Sequence, residues 1–150
     1  MKRIVILSDT HGLLRPRVLE ELGKADVILH AGDLDNRETL EALERFDNVY
    51  AVRGNCDAYW FNDLPETIQL EVEEIRFFLI HDKSRLPCRP AKTDVVVFGH
   101  THSPCAESRD GALWLNPGSC GPRRYGKPVS LCCMEAEEGR YHLEWVEIPD

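Results

Sequence analysis

Short runs of Ile, Val and Leu punctuate the chain, and most of them end in a small polar cluster. Arg3–Leu7, Asp26–His30 and Val49–Val52 are such runs, rich in apolar residues as strands buried on both faces are. Between them, Arg17–Leu22 and Glu38–Phe46 read as amphipathic helices. Alternating strand and helix predicts βαβ units with parallel pairing. The second half reads differently. Thr67–Val72 and Ile75–His81 flank Glu73-Glu74, which predicts a hairpin, and Asp94–Phe98 predicts another buried strand. Ala112–Leu115, Val129–Met134 and Tyr141–Ile148 are strand-like runs separated by Gly and Pro, with little helical signal. Together these elements predict a mixed α/β fold, two sheets packed face to face with helices outside, in one domain over residues 1–150.

Composition narrows the function classes. At 43% hydrophobic and 29% charged residues the 150-residue chain is ordinary globular protein. A formal net charge of −8 argues against stable nucleic-acid binding or an anionic membrane surface, both of which call for a basic face. It does not exclude a phosphate substrate, because bound metal ions make an acidic protein locally positive. The six cysteines include no CxxC pair, so zinc-ribbon spacing is absent and free thiols are expected. Only Ile4-Val5-Ile6-Leu7 follows Met1-Lys2-Arg3 before Ser8-Asp9, too short for a signal-peptide core of about 7–15 apolar residues. No run approaches the roughly 20 apolar residues of a membrane span. These features predict a cytoplasmic protein; a homo-oligomer is compatible with them.

The chemistry lies at the C-terminal ends of the runs. The first ends in Ser8-Asp9-Thr10-His11-Gly12, the second in His30-Ala31-Gly32-Asp33, the third in Arg53-Gly54-Asn55-Cys56-Asp57. The hairpin ends in His81, and the Asp94–Phe98 run in Gly99-His100-Thr101-His102. Ligands bind at that end of open α/β sheets. In extended chain, residues two apart face the same way, so Asp9 with His11, and His100 with His102, are expected to share a pocket. Glycines before Asp33, Asn55 and His100 allow sharp turns and close approach to an ion. Imidazole, carboxylate and amide ligands suit manganese, iron, cobalt, nickel or zinc better than calcium; manganese is the ion expected, with the others or magnesium as alternatives. Each piece alone is weak: Gly-Asp is a common turn, and a lone histidine is more often a core residue. Their ordered conjunction carries the reading. His142 reads as structural, and His30 as core or as a partner to a ligand.

The ordered set Ser8-Asp-Thr-His-Gly12, His30-Ala-Gly-Asp33, Gly54-Asn-Cys-Asp57, His81, Gly99-His-Thr-His102 and Asn116-Pro-Gly-Ser119 with Pro122-Arg123 resembles the calcineurin-like metallophosphoesterases, in particular their small bacterial and archaeal phosphodiesterase branch. The resemblance implies a four-layer α/β/β/α sandwich and two divalent metal ions. Asp9, His11, Asp33 and His102 would hold one ion, and Asp33, Asn55, His81 and His100 the other, with Asp33 bridging. A hydroxide between the ions would attack a phosphate ester in line. Asn55, Cys56 and Arg123, with Arg124 as its neighbour, are candidates for substrate contact.

The chain departs from the family pattern in three places. Asp82 stands where Gly is usual, and Asp82–Thr93 carries two prolines and no clear helix. Cys56 stands where many wider-family members have His, which points to diesters with good leaving groups. The rival is a protein-binding scaffold of the same fold, resembling the retromer subunit. A role of that kind tolerates loss of a ligand, and here every expected ligand type is present.

Overall fold

The computed structural model describes residues 1–57, 64–124 and 126–149. Sheet one contains β1 (Lys2–Leu7), β2 (Val27–His30), β3 (Val49–Ala51), β9 (Ser130–Glu137) and β10 (Arg140–Glu147), in the order β10-β9-β1-β2-β3. Sheet two contains β4 (Thr67–Val72), β5 (Ile75–Ile80), β6 (Val95–Val97), β7 (Cys105–Arg109) and β8 (Ala112–Asn116), in the order β4-β5-β6-β8-β7. β1, β2 and β3 run parallel, as do β5, β6 and β8; the remaining pairings are antiparallel. Two sets of parallel strands therefore deliver their C-terminal ends to one rim. β9 pairs with β1, so sheet two is threaded into the middle of sheet one's sequence.

Side-chain alternation builds the layers. Ile4, Ile6 and Leu29 face Phe77, Leu79, Val95 and Val97 across the gap between the sheets. Val5, Leu7 and Ile28 point the other way, where Val18 and Leu22 of α1 (Pro16–Gly23) and Leu40 and Leu43 of α2 (Arg37–Glu44) cover them. Proline opens α1, where its missing N–H costs nothing, and the Asn36 side chain caps α2 by accepting from Thr39 N at 2.9 Å.

The outer face of sheet two has a thinner cover. Phe78, Val96, Phe98 and Trp114 lie under Leu86 and a single 3₁₀ turn, Lys83–Arg85. Asp82, the residue in place of Gly, starts that turn by accepting from Ser84 N at 3.0 Å. The Lys83 ammonium sits 4.8 Å from the Phe98 ring centroid. All six cysteines are free thiols. Among the described residues no helix is long and apolar enough to cross a membrane.

Candidate metal centre

The structure brings all seven expected ligand residues to one rim. His11 Nε2 and His102 Nε2 lie 3.6 and 3.3 Å from Asp9 Oδ1, and 3.2 Å from each other. His81 Nε2 lies 3.2 Å from Asp33 Oδ2 and 3.0 Å from Asn55 Oδ1. His100 Nδ1 is 3.2 Å from the same Asn55 oxygen. Sheet one contributes Asp9, His11, Asp33 and Asn55; sheet two contributes His81, His100 and His102.

The local geometry differs from the extended chain expected of Asp-x-His and His-x-His. Asp9, His11, Asp33, His100 and His102 all have positive φ, from 45° to 73°. The side chains converge because the backbone coils tightly past each strand end. Left-handed backbone costs a non-glycine residue roughly 1–2 kcal/mol, so the surrounding hydrogen bonds must hold it. Gly32, at φ 104°, makes the sharp turn expected of it, whereas Gly54 and Gly99 act differently. A Cβ on Gly54 would collide with the Asp33 carboxylate, and one on Gly99 with Ser8 Oγ and Asp9 Oδ2. They make room for the ligand side chains themselves.

Each carboxylate is tethered by one oxygen and open at the other. Asp9 Oδ2 accepts from Ser8 Oγ at 2.7 Å and His100 N at 3.1 Å, while Oδ1 is buried with no hydrogen-bond partner. Asp33 Oδ1 accepts from Cys56 N at 2.8 Å, leaving Oδ2 facing His81 and His11. The imidazoles follow the same logic. His81 Nδ1 donates to Ala31 O at 2.8 Å, and His11 Nδ1 donates to the Asp35 carboxylate at 3.0 Å, so both rings turn an Nε2 lone pair inward. Lone pairs crowded around an orphaned, buried carboxylate oxygen are an arrangement that divalent cations fit.

The electrostatics agree. Burial pushes the Asp9 carboxyl upward, but His102, His11, His81 and Ser8 outweigh it and hold the group well below the usual range. Asp33 is likewise lowered, against burial, chiefly by His81. His11 and His81 are raised against burial, His11 by Asp9 and Asp35, His81 by Asp33 and Asp9.

A family model for the calcineurin-like phosphoesterase superfamily domain matches residues 1–139. The chain belongs to this superfamily. As a calcineurin-like phosphoesterase it is a hydrolase of phosphate esters that uses divalent metal. It is 34% identical over 163 residues to the phosphodiesterase YfcE of Escherichia coli (strain K12), spanning 90% of this chain and 88% of that one. A solved structure of the E. coli phosphoesterase Yfce superposes with a TM-score of 0.72 at 30% identity, covering 89% of this chain and 88% of the other. A probable metallophosphoesterase of Methanothermobacter thermautotrophicus is 32% identical over 150 residues, spanning 90% of this chain and 87% of its own. Vacuolar Protein Sorting 29 of Cryptosporidium parvum shares the fold, with a TM-score of 0.77 at 22% identity over 99% of this chain and 98% of its own.

Around the cluster this phosphoesterase places residues that sequence reasoning ranked low or passed over. Asp57 is fully buried, and its two oxygens accept from four backbone N–H groups, those of Asp33, Leu34, Asp35 and Gly54, each at 2.9 Å. Its place in Gly-Asn-Cys-Asp was the available signal. Asp35, the orienting partner of His11, was signalled only by Asp33-Leu-Asp35. Asn116 donates to Gly99 O at 3.3 Å and Thr101 Oγ1 at 3.0 Å, and Ser119 Oγ to Asp9 O at 2.9 Å, so the Asn-Pro-Gly-Ser turn braces two ligand loops. His30 is buried beneath the site: Gly32 N donates to its Nδ1 at 3.0 Å, and its Nε2 pairs with Thr10 Oγ1 at 3.1 Å. His142 is exposed on β10. Cys56 lines the site, its thiol pushed up to about 11 by burial and by Asp33 and Asp35. Arg124 and Lys127 line the same cavity, whereas Arg123 is exposed beside it and donates to Lys127 O at 3.3 Å.

Proposed function

We propose that this chain is a two-metal phosphodiesterase in which Asp9, His11, Asp33 and His102 hold one ion and Asp33, Asn55, His81 and His100 the other. The observation that carries the reading is Asp9 Oδ1, a buried carboxylate oxygen with no hydrogen bond, 3.3–3.9 Å from the Nε2 atoms of His102, His11 and His81. Asp33 Oδ2 stands between His11 and His81, at 3.8 and 3.2 Å, which supports its role as the bridge. The mixed imidazole, carboxylate and amide set suits manganese, iron, cobalt, nickel or zinc, and manganese is the ion chosen for the test.

Two bound ions would supply Lewis-acid charge and a strong oxygen nucleophile at neutral pH. The chain's own residues do the rest. Asp35 and Ala31 O fix the tautomers of His11 and His81. Ser8, His100 N and Cys56 N hold the carboxylates so that little reorganisation is needed when charge builds on the phosphoryl group. Cys56 stays a neutral thiol and a weak donor, so a leaving group receives little help from it. That favours diesters with good leaving groups, which carry one negative charge, over monoesters. The presence of all seven ligand residues, gathered in one cluster, favours an enzyme over a scaffold of this fold.

The test is metal analysis of protein dialysed against Mn²⁺ at neutral pH, paired with turnover of bis(p-nitrophenyl) phosphate and p-nitrophenyl phosphate. Two ions per chain, and diesterase activity lost to chelation and restored by metal, are expected. One ion or none, or a preference for the monoester, would overturn the proposal.

A further inference from the structure

Asn55 and His100 stand between two cavities and line both. The first, of about 220 Å³, carries Arg53, Glu66, Asp82 and Arg85 on its wall. Arg85 pairs with Glu66 at 2.6 Å, and Arg53 and Asp82 offset one another in formal charge, so this wall is polar and neutral. The second, of about 230 Å³, is the open side of the ligand cluster itself, lined by His11, Asp33, Asn55, His100 and His102 with Arg124 and Lys127 beside them; Asp33 is the only carboxylate among its described lining residues. Asp33 is already engaged in the ligand cluster, so this wall is positive.

Both cations ride on one turn, in which Lys127 N donates to Arg124 O at 3.0 Å. Lys127 Nζ donates to Thr101 O at 2.6 Å, which anchors the ammonium at the loop that carries His100 and His102. The Arg124 guanidinium makes no hydrogen bond or ion pair with the described residues. A planar guanidinium beside an anchored ammonium is matched to the oxygens of a phosphate group.

We infer that one arm of a phosphodiester lies in the Arg53–Asp82 cavity, and that the other leaves the ligand cluster past Arg124 and Lys127 and bears a second phosphate. The Arg53–Asp82 cavity then takes a neutral polar arm. The substrate class is a diester with a terminal phosphate on one side of the scissile bond. This rests on the phosphodiesterase reading. It adds a charge requirement that the metal ligands do not impose.

Two nucleotide esters separate the claims. The p-nitrophenyl ester of thymidine 5′-phosphate and its 3′-phosphorylated counterpart differ only in the extra phosphate. Two solvent-exposed charge pairs correspond to about tenfold in affinity. The 3′-phosphorylated ester should therefore show kcat/KM about tenfold higher. In the double variant Arg124→Gln/Lys127→Gln the ratio between the two esters should fall toward one; a ratio cancels any general loss of activity. Calorimetry with thymidine 3′,5′-bisphosphate and thymidine 5′-phosphate on metal-loaded protein gives the same comparison without turnover. Equal kcat/KM or equal Kd for the two members of each pair, or a preference that survives in the double variant, overturns the charged-arm inference and leaves the phosphodiesterase standing. Failure to hydrolyse both nucleotide esters while bis(p-nitrophenyl) phosphate is still turned over overturns the charged-arm inference alone; failure on all three overturns both.

Discussion

Replacing Asp57 by Asn changes one atom's chemistry and almost no volume. Oδ1 accepts from Leu34 N and Asp35 N; Oδ2 accepts from Asp33 N and Gly54 N. An amide offers one carbonyl oxygen and one NH₂ group, so in either orientation two buried N–H donors face another donor. A buried donor left unpaired costs about 1–3 kcal/mol, which gives roughly 2–6 kcal/mol for the pair. Against a typical domain's 5–15 kcal/mol that is a large share. A second effect is specific to the site. Asp33 and Asp35 sit at φ 64° and 76°, and the Asp57 carboxylate holds both N–H groups in that conformation. Freed from it, Asp33 no longer aims Oδ2 into the cluster, so metal affinity should drop along with stability. The assay is urea unfolding of chelator-treated native and Asp57→Asn protein, followed by metal titration of each under folding conditions. A stability loss under about 1 kcal/mol together with unchanged metal affinity would show that the four hydrogen bonds do not bear the weight assigned to them.

Other expectations follow from the same geometry. Stepwise metal titration should fill the Asp9–Asp33 site first and the Asn55 site last. The latter has one carboxylate, and both Asn55 and His100 are exposed, so two sites of equal affinity would contradict the assignment. Cys56→His should raise the monoesterase-to-diesterase ratio, because an imidazolium can protonate a leaving group and a thiol pushed up to about 11 cannot. General-acid help is worth about 10²–10⁴-fold, so an unmoved ratio for matched aryl esters would exclude this role. His30 is held neutral, its value pushed down to about 4, chiefly by burial. As pH falls below the unfolded value near 6.5, the unfolded chain binds the proton first, so native stability drops at up to about 1.4 kcal/mol per pH unit until pH nears 4. Urea midpoints between pH 7 and 4.5 should therefore decline more steeply in the native protein than in His30→Asn, and parallel slopes would count against a neutral His30.

The parts of the fold legible in the sequence were those written as contrast. Val, Ile and Leu runs ending in Asp, His or Asn marked β1, β2, β3, β5 and β6 and the ligands at their ends. β7 escaped because four of the five residues of Cys105–Arg109 are exposed on the edge of sheet two, which leaves no apolar signal. α2 ends at Glu44, two residues before the apolar pattern suggested; Phe46 packs on the core from the turn that follows. At the site, the residue types showed which side chains would meet, but not how. Sequence carries no direct signal for left-handed backbone at Asp9 or Asp33, because the hydrogen bonds that fix it come from distant residues, Ser119 at Asp9 and Asp57 at Asp33. Lys127 was invisible for a related reason: only the folded turn brings it beside Thr101.

The pairing of β1 with β9 sets an order on events during synthesis. Every ligand residue has left the ribosome once His102 has emerged, yet β1 then still has one bare edge, which Ser130–Glu137 must fill. His11 and His102, 91 residues apart, meet only when the two sheets dock. Metal capture is thus a late step, and the nascent chain carries a central strand with one open edge until β9 arrives. A bound ion would afterwards act as a rivet across the seam between the sheets, opposing their separation more than it assists their assembly.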